Sequence, residues 1–264
     1  MSERKSDTLN ATLVERKELT PELLQLFIRP DAPPAKFIPG QYVAIGLPGS
    51  APRPPGFPEE EIPAEPGKMI KLAYSIGSSP DDPSVLEFYL AVLPQGALTS
   101  RIVSLKPGDR LFMAPKVTGT FTLEGVPEDH NLMLVSTGTG IAPYISMLRS
   151  KNTWTPGRKI SIVHGVRYES DLAYKEELSE LANSHSSFSY YNIVSRPGAE
   201  WRGEKGYVQR YFQEERILLD PGRDHVYLCG NPGMIDQMEE WLLSKGYKEH
   251  SRKQPGNLHL ERYW

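Results

Sequence analysis

VSTGTGIAPY, residues 135–144, begins as an apolar strand, passes two glycines and enters a helix-like run. A strand ending at Ser136, glycines at 138 and 140, and a helix opening near Pro143 make a strand–turn–helix unit. In open α/β sheets, ligands sit outside the carboxyl ends of the strands. Glycines there let backbone N–H groups approach a phosphate, and a helix N-terminus favours its charge. The same ten residues also read as a tight turn with no ligand. They lack the G-x-G-x-x-G spacing of the ordinary dinucleotide fingerprint.

Downstream, the rhythm of strand and helix continues. KISIVHGVR, FSYYNIVSR and DHVYLCG read as strands. SDLAYKEELSELANS reads as a helix with Ser170 as N-cap, GYVQRYFQEE as helical, and NPGMIDQMEEWLLSKG as a helix stopped by Gly246. This alternation predicts a parallel α/β sheet. Upstream, NATLVERKEL, LLQLFIRP, KFIPGQYVAIGLP, MIKLAYSIGSS, SVLEFYLAVL and GDRLFMAP are short strand candidates bounded by Pro, Gly and Asp. Their spacing predicts an antiparallel barrel or sandwich. The predicted division is 1–127 and 128–264, and the Pro- and Glu-rich segment 48–68 is expected to be an exposed loop.

Composition narrows the class. Net charge is −3, which gives no global reason to expect nucleic-acid binding. The single cysteine, Cys229, cannot form an intrachain disulfide or supply a cysteine-ligated cluster or zinc site; no metal is expected. No run of about 18 apolar residues occurs, and the polar start lacks a signal-peptide core, so a soluble cytoplasmic protein is expected.

Two further motifs carry chemistry. LCGNPGM places Cys229 at the carboxyl end of a strand, on the same sheet edge as the first glycine turn; a free cysteine there also reads as core. LAYSIGSSP offers Tyr74 and Ser75, a flat face and a hydroxyl suited to a ring with polar edges, though alone it is also an ordinary amphipathic strand.

Taken in order, PGQYVAIGL, AYSIGSSP, GALTSRIVSLKPGD, TGTF, STGTGIAPY, VSR, KGYVQ, CGNPGM and ERYW run over nearly the whole chain. This resembles the ferredoxin/flavodoxin–NADP reductase family, bacterial type, with plant-type features in the NADP site. The resemblance implies an FAD-binding antiparallel barrel followed by a five-stranded parallel NADP-binding domain. It implies that NADPH passes a hydride to flavin N5 and that the flavin exchanges single electrons with ferredoxin or flavodoxin.

Carried over by position, the resemblance places Tyr74 on the flavin ring and Ser75 near its N5. Leu72 and Ala73 share that motif, but Leu72 stands where the family has the arginine that pairs with the pyrophosphate. Lys71 is adjacent and points to the opposite face; a cation elsewhere, such as Lys116 or Arg101, is a candidate replacement. Leu90, Ala91 and Val92 match the strand beside the flavin, and Ala97, Leu98 and Thr99 match the pyrophosphate turn. Thr139 matches a position reaching FAD, while Thr137, Gly138, Gly140 and Gly230 face NADP. Arg167, Tyr168, Ser195, Arg196, Lys205 and Tyr207 match the 2′-phosphate and adenine site.

Ser75, Cys229, Glu261 and Tyr263 are the positions expected beside the transfer. Glu261 also reads as a solvated tail carboxylate. Tyr263 matches the family's terminal ring over the flavin, and Trp264 the extra ring against the FAD adenine, on a strand-like tail that can return to the first domain. An acidic protein carrier is the expected partner, with no nucleic acid or membrane involved and a monomer favoured. A flavin or quinone reductase is an alternative, as is a binding module that kept the fold and lost the chemistry.

Overall fold

Ala11–Thr20 (β1) turns at Pro21 and Glu22 and runs back antiparallel as Leu23–Pro30 (β2). Alternation along β2 buries Leu24, Leu26 and Ile28. The computed structural model describes residues 8–32 and 36–262. Its contacts divide the chain into one unit of Met1–Thr122 with Ile145–Ser150, and another of Leu123–Tyr144 with Lys151–Trp264.

In the first unit, β1 and β2 join Tyr42–Pro48 (β3), Met69–Ser75 (β4), Leu86–Ala91 (β5) and Arg110–Met113 (β6). All pair antiparallel in the order β4-β3-β6-β1-β2-β5. Just beyond β4, Gly77 N donates to Glu87 O of β5 at 2.8 Å, so the two end strands approach and the sheet curls into a barrel. Leu13, Leu26, Ile45, Phe88, Leu90 and Leu98 fill its core. A single helical turn, Thr99–Ile102 (α1), follows β5.

The second unit carries a parallel sheet of Asn131–Thr137 (β7), Ile160–Val166 (β8), Phe188–Val194 (β9), Asp224–Gly230 (β10) and Leu258–Arg262 (β11), in the order β11-β10-β7-β8-β9. Five parallel strands agree with the expectation from sequence. The fifth comes from the tail: residues 258–262 extend this sheet at the edge beside β10. Tyr263 and Trp264, on which the expected flavin cover falls, lie outside the described residues.

Helices Ala142–Leu148 (α2), Lys175–Ser184 (α3), Arg210–Gln213 (α4) and Pro232–Ser244 (α5) connect the strands. The α3 helix does not start at Ser170. Residues Glu169–Asp171 make a 3₁₀ turn because the Asp171 carboxylate accepts Tyr168 N at 3.1 Å, and Tyr174 then adopts φ 61° before the helix begins. Asn231 caps α5 by accepting Met234 N, and Gly246, at φ 94°, follows its end as expected.

At the amino edge of this sheet, four of the chain's six histidines meet: His130, His225, His250 and His259. His259 stacks on Tyr227 with ring centres 4.0 Å apart and planes within 1°, and its Nε2 lies 3.1 Å from His225 Nδ1. His225, His250 and His259 line a cavity of about 520 Å³ with Lys248 and Asn257.

Candidate functional site

At the carboxyl edge of the second unit's sheet, two glycine turns lock together. Asn231 N donates to Thr137 Oγ1 at 2.8 Å. A Cβ on Gly140 would stand 2.4 Å from Cys229 O, and one on Gly230 would stand 2.4 Å from Thr137 Oγ1. These glycines therefore serve close backbone approach between the turns. Gly138, at φ 53° with nothing within 4 Å of an added Cβ, serves the turn's conformation instead.

The strand register sets a polar row beneath these turns. Cys229 pairs with Glu261 on β11 and with Ser136 on β7, and Ser136 pairs with His164 on β8. Cys229 is fully buried, and its Sγ lies 3.9 Å from Glu261 Oε2. Glu261 is thus a half-buried strand residue beside the cysteine. The Tyr144 hydroxyl lies 2.8 Å from Tyr227 O and 3.0 Å from Val135 O. Burial, then the nearness of Cys229 and Glu261, pushes its pKa well up.

His164 is a contributor that the sequence did not flag. Its Nε2 lies 3.1 Å from Gly138 O, and burial pushes its pKa down to about 4. The ring is neutral near pH 7, and Nε2–H donates to that carbonyl, fixing the turn. Among the described residues, its Nδ1 and Ser136 Oγ are both buried without a hydrogen-bond partner. Replacing His164 with leucine removes the donor to Gly138 and is expected to cost about 1–3 kcal/mol, measured by denaturant unfolding.

Farther along the same edge, Arg196 N donates to Arg167 O at 2.8 Å, and Ser195 N to Val166 O at 2.9 Å. A bridge pairs Val194 with Lys205, flanked by Val194 N→Glu204 O and Gly206 N→Val194 O. Arg167, Ser195, Arg196, Lys205 and the 72% exposed Tyr207 therefore share one corner; Tyr168, half exposed, flanks Arg167. Of the two carboxylates within that segment, Glu200 lies 3.8 Å from Arg202, and Glu204 is taken by Arg216 at 2.6 and 2.8 Å, which holds its pKa down. Among the described residues, Arg167, Arg196 and Lys205 have no carboxylate partner. Trp201 Nε1 donates to Glu204 O at 3.0 Å and Glu169 accepts Gly198 N at 3.2 Å, so the intervening loop is clasped at both ends.

In the first unit, Tyr74 packs half-buried on the barrel core, and burial raises its pKa. Ser75 is buried, while Leu72 is 48% exposed and Ala73 is exposed. The side chains of Leu90, Val92 and Leu98 belong to the core, so only their backbone faces outward; Ala91 and Ala97 are half-buried. Thr99 Oγ1 is turned onto Leu93, accepting its N–H at 3.0 Å. Thr139, in the second unit, is buried.

The model of the oxidoreductase NAD-binding domain family matches residues 134–240. A flavodoxin/ferredoxin–NADP reductase of Buchnera aphidicola subsp. Baizongia pistaciae is 30% identical over 263 residues, spanning 97% of this chain and 98% of that protein. The chain belongs to the flavodoxin/ferredoxin–NADP reductase family. The Escherichia coli K12 member is 30% identical over 98% of this chain and all of its own length. A solved Neisseria gonorrhoeae ferredoxin NADP⁺ reductase with bound FAD and NADP shares the fold at TM-score 0.81 and 22% identity, over 97% of this chain and 98% of that one.

The two cations expected from sequence as replacements at Leu72, Arg101 and Lys116, have different surroundings. Arg101 is spent on the barrel: it is 5% exposed, pairs with Glu60, and donates to Ala97 O and to Gly49 O at 2.6 and 2.9 Å. It is therefore no free cation. Lys116 is exposed. The 48–68 segment is mostly exposed, as expected, but it tucks Glu60 and Arg53 inward.

Proposed function

We propose that this chain is a flavodoxin/ferredoxin–NADP reductase in which residues 1–127 hold FAD and residues 128–264 hold NADPH. The observation that carries the reading is the pair of interlocked glycine turns beside Cys229 and Glu261, with a cluster of unpaired cations on the same sheet edge. The donor chemistry fits both groups. Three cations without carboxylate partners, with Ser195, match a phosphate monoester, and Tyr207 offers an exposed ring for adenine. For the flavin, β4 presents Tyr74 half-buried beside exposed Leu72 and Ala73, and the amides of Leu98 and Thr99 have no partner among the described residues.

When bound, the flavin supplies the exchange between two-electron NADPH and a one-electron protein carrier. The chain's part is placement. Arg167, Ser195, Arg196 and Lys205 bind the 2′-phosphate, and Thr137, Gly138, Gly140 and Gly230 form the backbone edge that the dinucleotide crosses. Thr139 belongs to the same turn and is buried there. Cys229 and Glu261, whose Sγ and Oε2 lie 3.9 Å apart, would flank the nicotinamide, the buried thiol excluding water. Ser75 would serve the flavin from the FAD-holding half; Tyr263 and Trp264, the candidates for covering isoalloxazine and adenine, lie outside the described residues. The partner is an acidic ferredoxin or flavodoxin, and the protein works as a cytoplasmic monomer.

The test is steady-state reduction of ferredoxin, flavodoxin and free FMN with NADPH and NADH side by side. The purified protein is expected to be yellow and to favour NADPH and a protein acceptor. Turnover of free FMN alone supports a flavin reductase instead. Arg196→Ala and Lys205→Ala are each expected to lower kcat/KM for NADPH about tenfold and for NADH less than about twofold, as loss of one charge-assisted contact predicts. Equal losses with both nucleotides would contradict the phosphate reading.

A further inference from the structure

Leu72 leaves the barrel without its expected phosphate cation, and Arg101 is committed to Glu60 and backbone carbonyls. Lys71 lies over the Phe112 ring at 4.5 Å. A different cation reaches the turn after β5. Arg53, on the loop between β3 and β4, donates from Nε to Ser100 Oγ at 3.0 Å, and from Nη2 to Pro58 O and Pro94 O at 2.5 and 2.9 Å. Its Nη1 has no partner among the described residues.

The charge count favours an anion here. Arg53 and Arg101 converge on one carboxylate: Glu60 Oε1 accepts from Arg101 Nη1 and lies 4.0 Å from Arg53 Nε. Two cations against one anion leave a net positive charge beside Ser100. Arg101 Nε, in the same cluster, is buried and has no partner among the described residues. An unpaired guanidinium edge held by three bonds is preorganised for a planar or tetrahedral oxyanion, because its rotamer entropy is already lost.

We propose that Arg53 is a phosphate-binding residue of the flavin dinucleotide site, carried in by the 48–68 loop to replace the arginine absent at Leu72. This rests on the reading of the first unit as the FAD-holding domain. The loop is then a cofactor-binding element, and its many prolines restrict the path that brings Arg53 to Ser100.

The test is titration of the full-length apoprotein with FAD and, in parallel, with riboflavin, which has no phosphate. Arg53→Gln is expected to weaken FAD about tenfold or more while changing riboflavin less than about twofold. Leu72→Arg in the Arg53→Gln chain is expected to restore most of the FAD affinity, which a merely structural loss of loop contacts would not permit. Leu72→Arg alone is expected to gain less than about threefold, since a cation is already present. The proposal is overturned if Arg53→Gln weakens both ligands equally, if the double variant shows no recovery, or if Leu72→Arg alone gains tenfold. A wild-type chain that takes up neither ligand overturns the FAD reading itself.

Discussion

Replacing Gly230 with alanine is expected to destabilise the second unit by about 2–6 kcal/mol, among the largest single-residue effects in this chain. Two costs add at this position. The residue sits at φ 130°, where an L side chain is strained. A new Cβ would also stand 2.4 Å from Thr137 Oγ1 and 2.7 Å from Thr137 O, and the carbonyl belongs to a strand end that cannot move freely. Relief requires the two turns to separate, which breaks the Asn231 N→Thr137 Oγ1 bond. Urea unfolding of the wild-type and Gly230→Ala proteins measures the cost, and nucleotide binding should fall with it. An unfolding midpoint within experimental error of wild type would show that the turns are not locked.

Acid is expected to bring the second large effect, through the histidine cluster at the amino edge of the same unit. Burial, then the neighbouring His130, His250 and Arg158, holds the His225 pKa at about 4, with Asp224 pulling the other way. Burial, then His250 and His225, holds that of His259 at about 3. Both rings are neutral when folded, whereas the unfolded chain binds protons on them below pH 6.5. Stability is therefore full above pH 6.5 and is lost as the pH falls toward 4, by an amount on the order of 5 kcal/mol for the pair. His259→Phe keeps a ring for Tyr227 to stack on and removes one proton site. It is expected to flatten the acid limb while costing about 1 kcal/mol near neutrality through the lost bond to His225. Denaturant midpoints at pH 7.5, 6 and 5 decide the matter; parallel slopes for the two proteins would remove His259 from the account.

Much of the fold is legible in local pattern. The short strands of the barrel announce themselves through β-rich runs between Pro and Gly, and β7 to β10 through apolar runs ending in turns. The interlocked glycines were visible as motifs, but their purpose was not. Nothing in STGTG says that Gly140 faces Cys229 O, because that contact joins residues far apart in the chain. The β11 strand is short and follows a polar stretch, so its alternation alone did not reveal a sheet partner. Arg101 reads as a surface cation until Gly49 O and Glu60 are seen to absorb it. Arg53 was hidden for the opposite reason: a Pro- and Glu-rich segment looks solvated, and only the fold shows where its guanidinium lands. His164 sits in an apolar run, where one imidazole gives no periodic signal.

The close fit between Gly140 and Cys229, and between Gly230 and Thr137, carries a consequence for inheritance. Neither turn can accept a side chain while the other keeps its shape. Mutations that retune one half of this edge must be accompanied by changes in the other, although the two halves are separated by the whole of β8, β9 and their helices. Descendants of this sequence can drift at the exposed positions of the 48–68 loop one residue at a time, but these two glycine turns can only evolve as a pair.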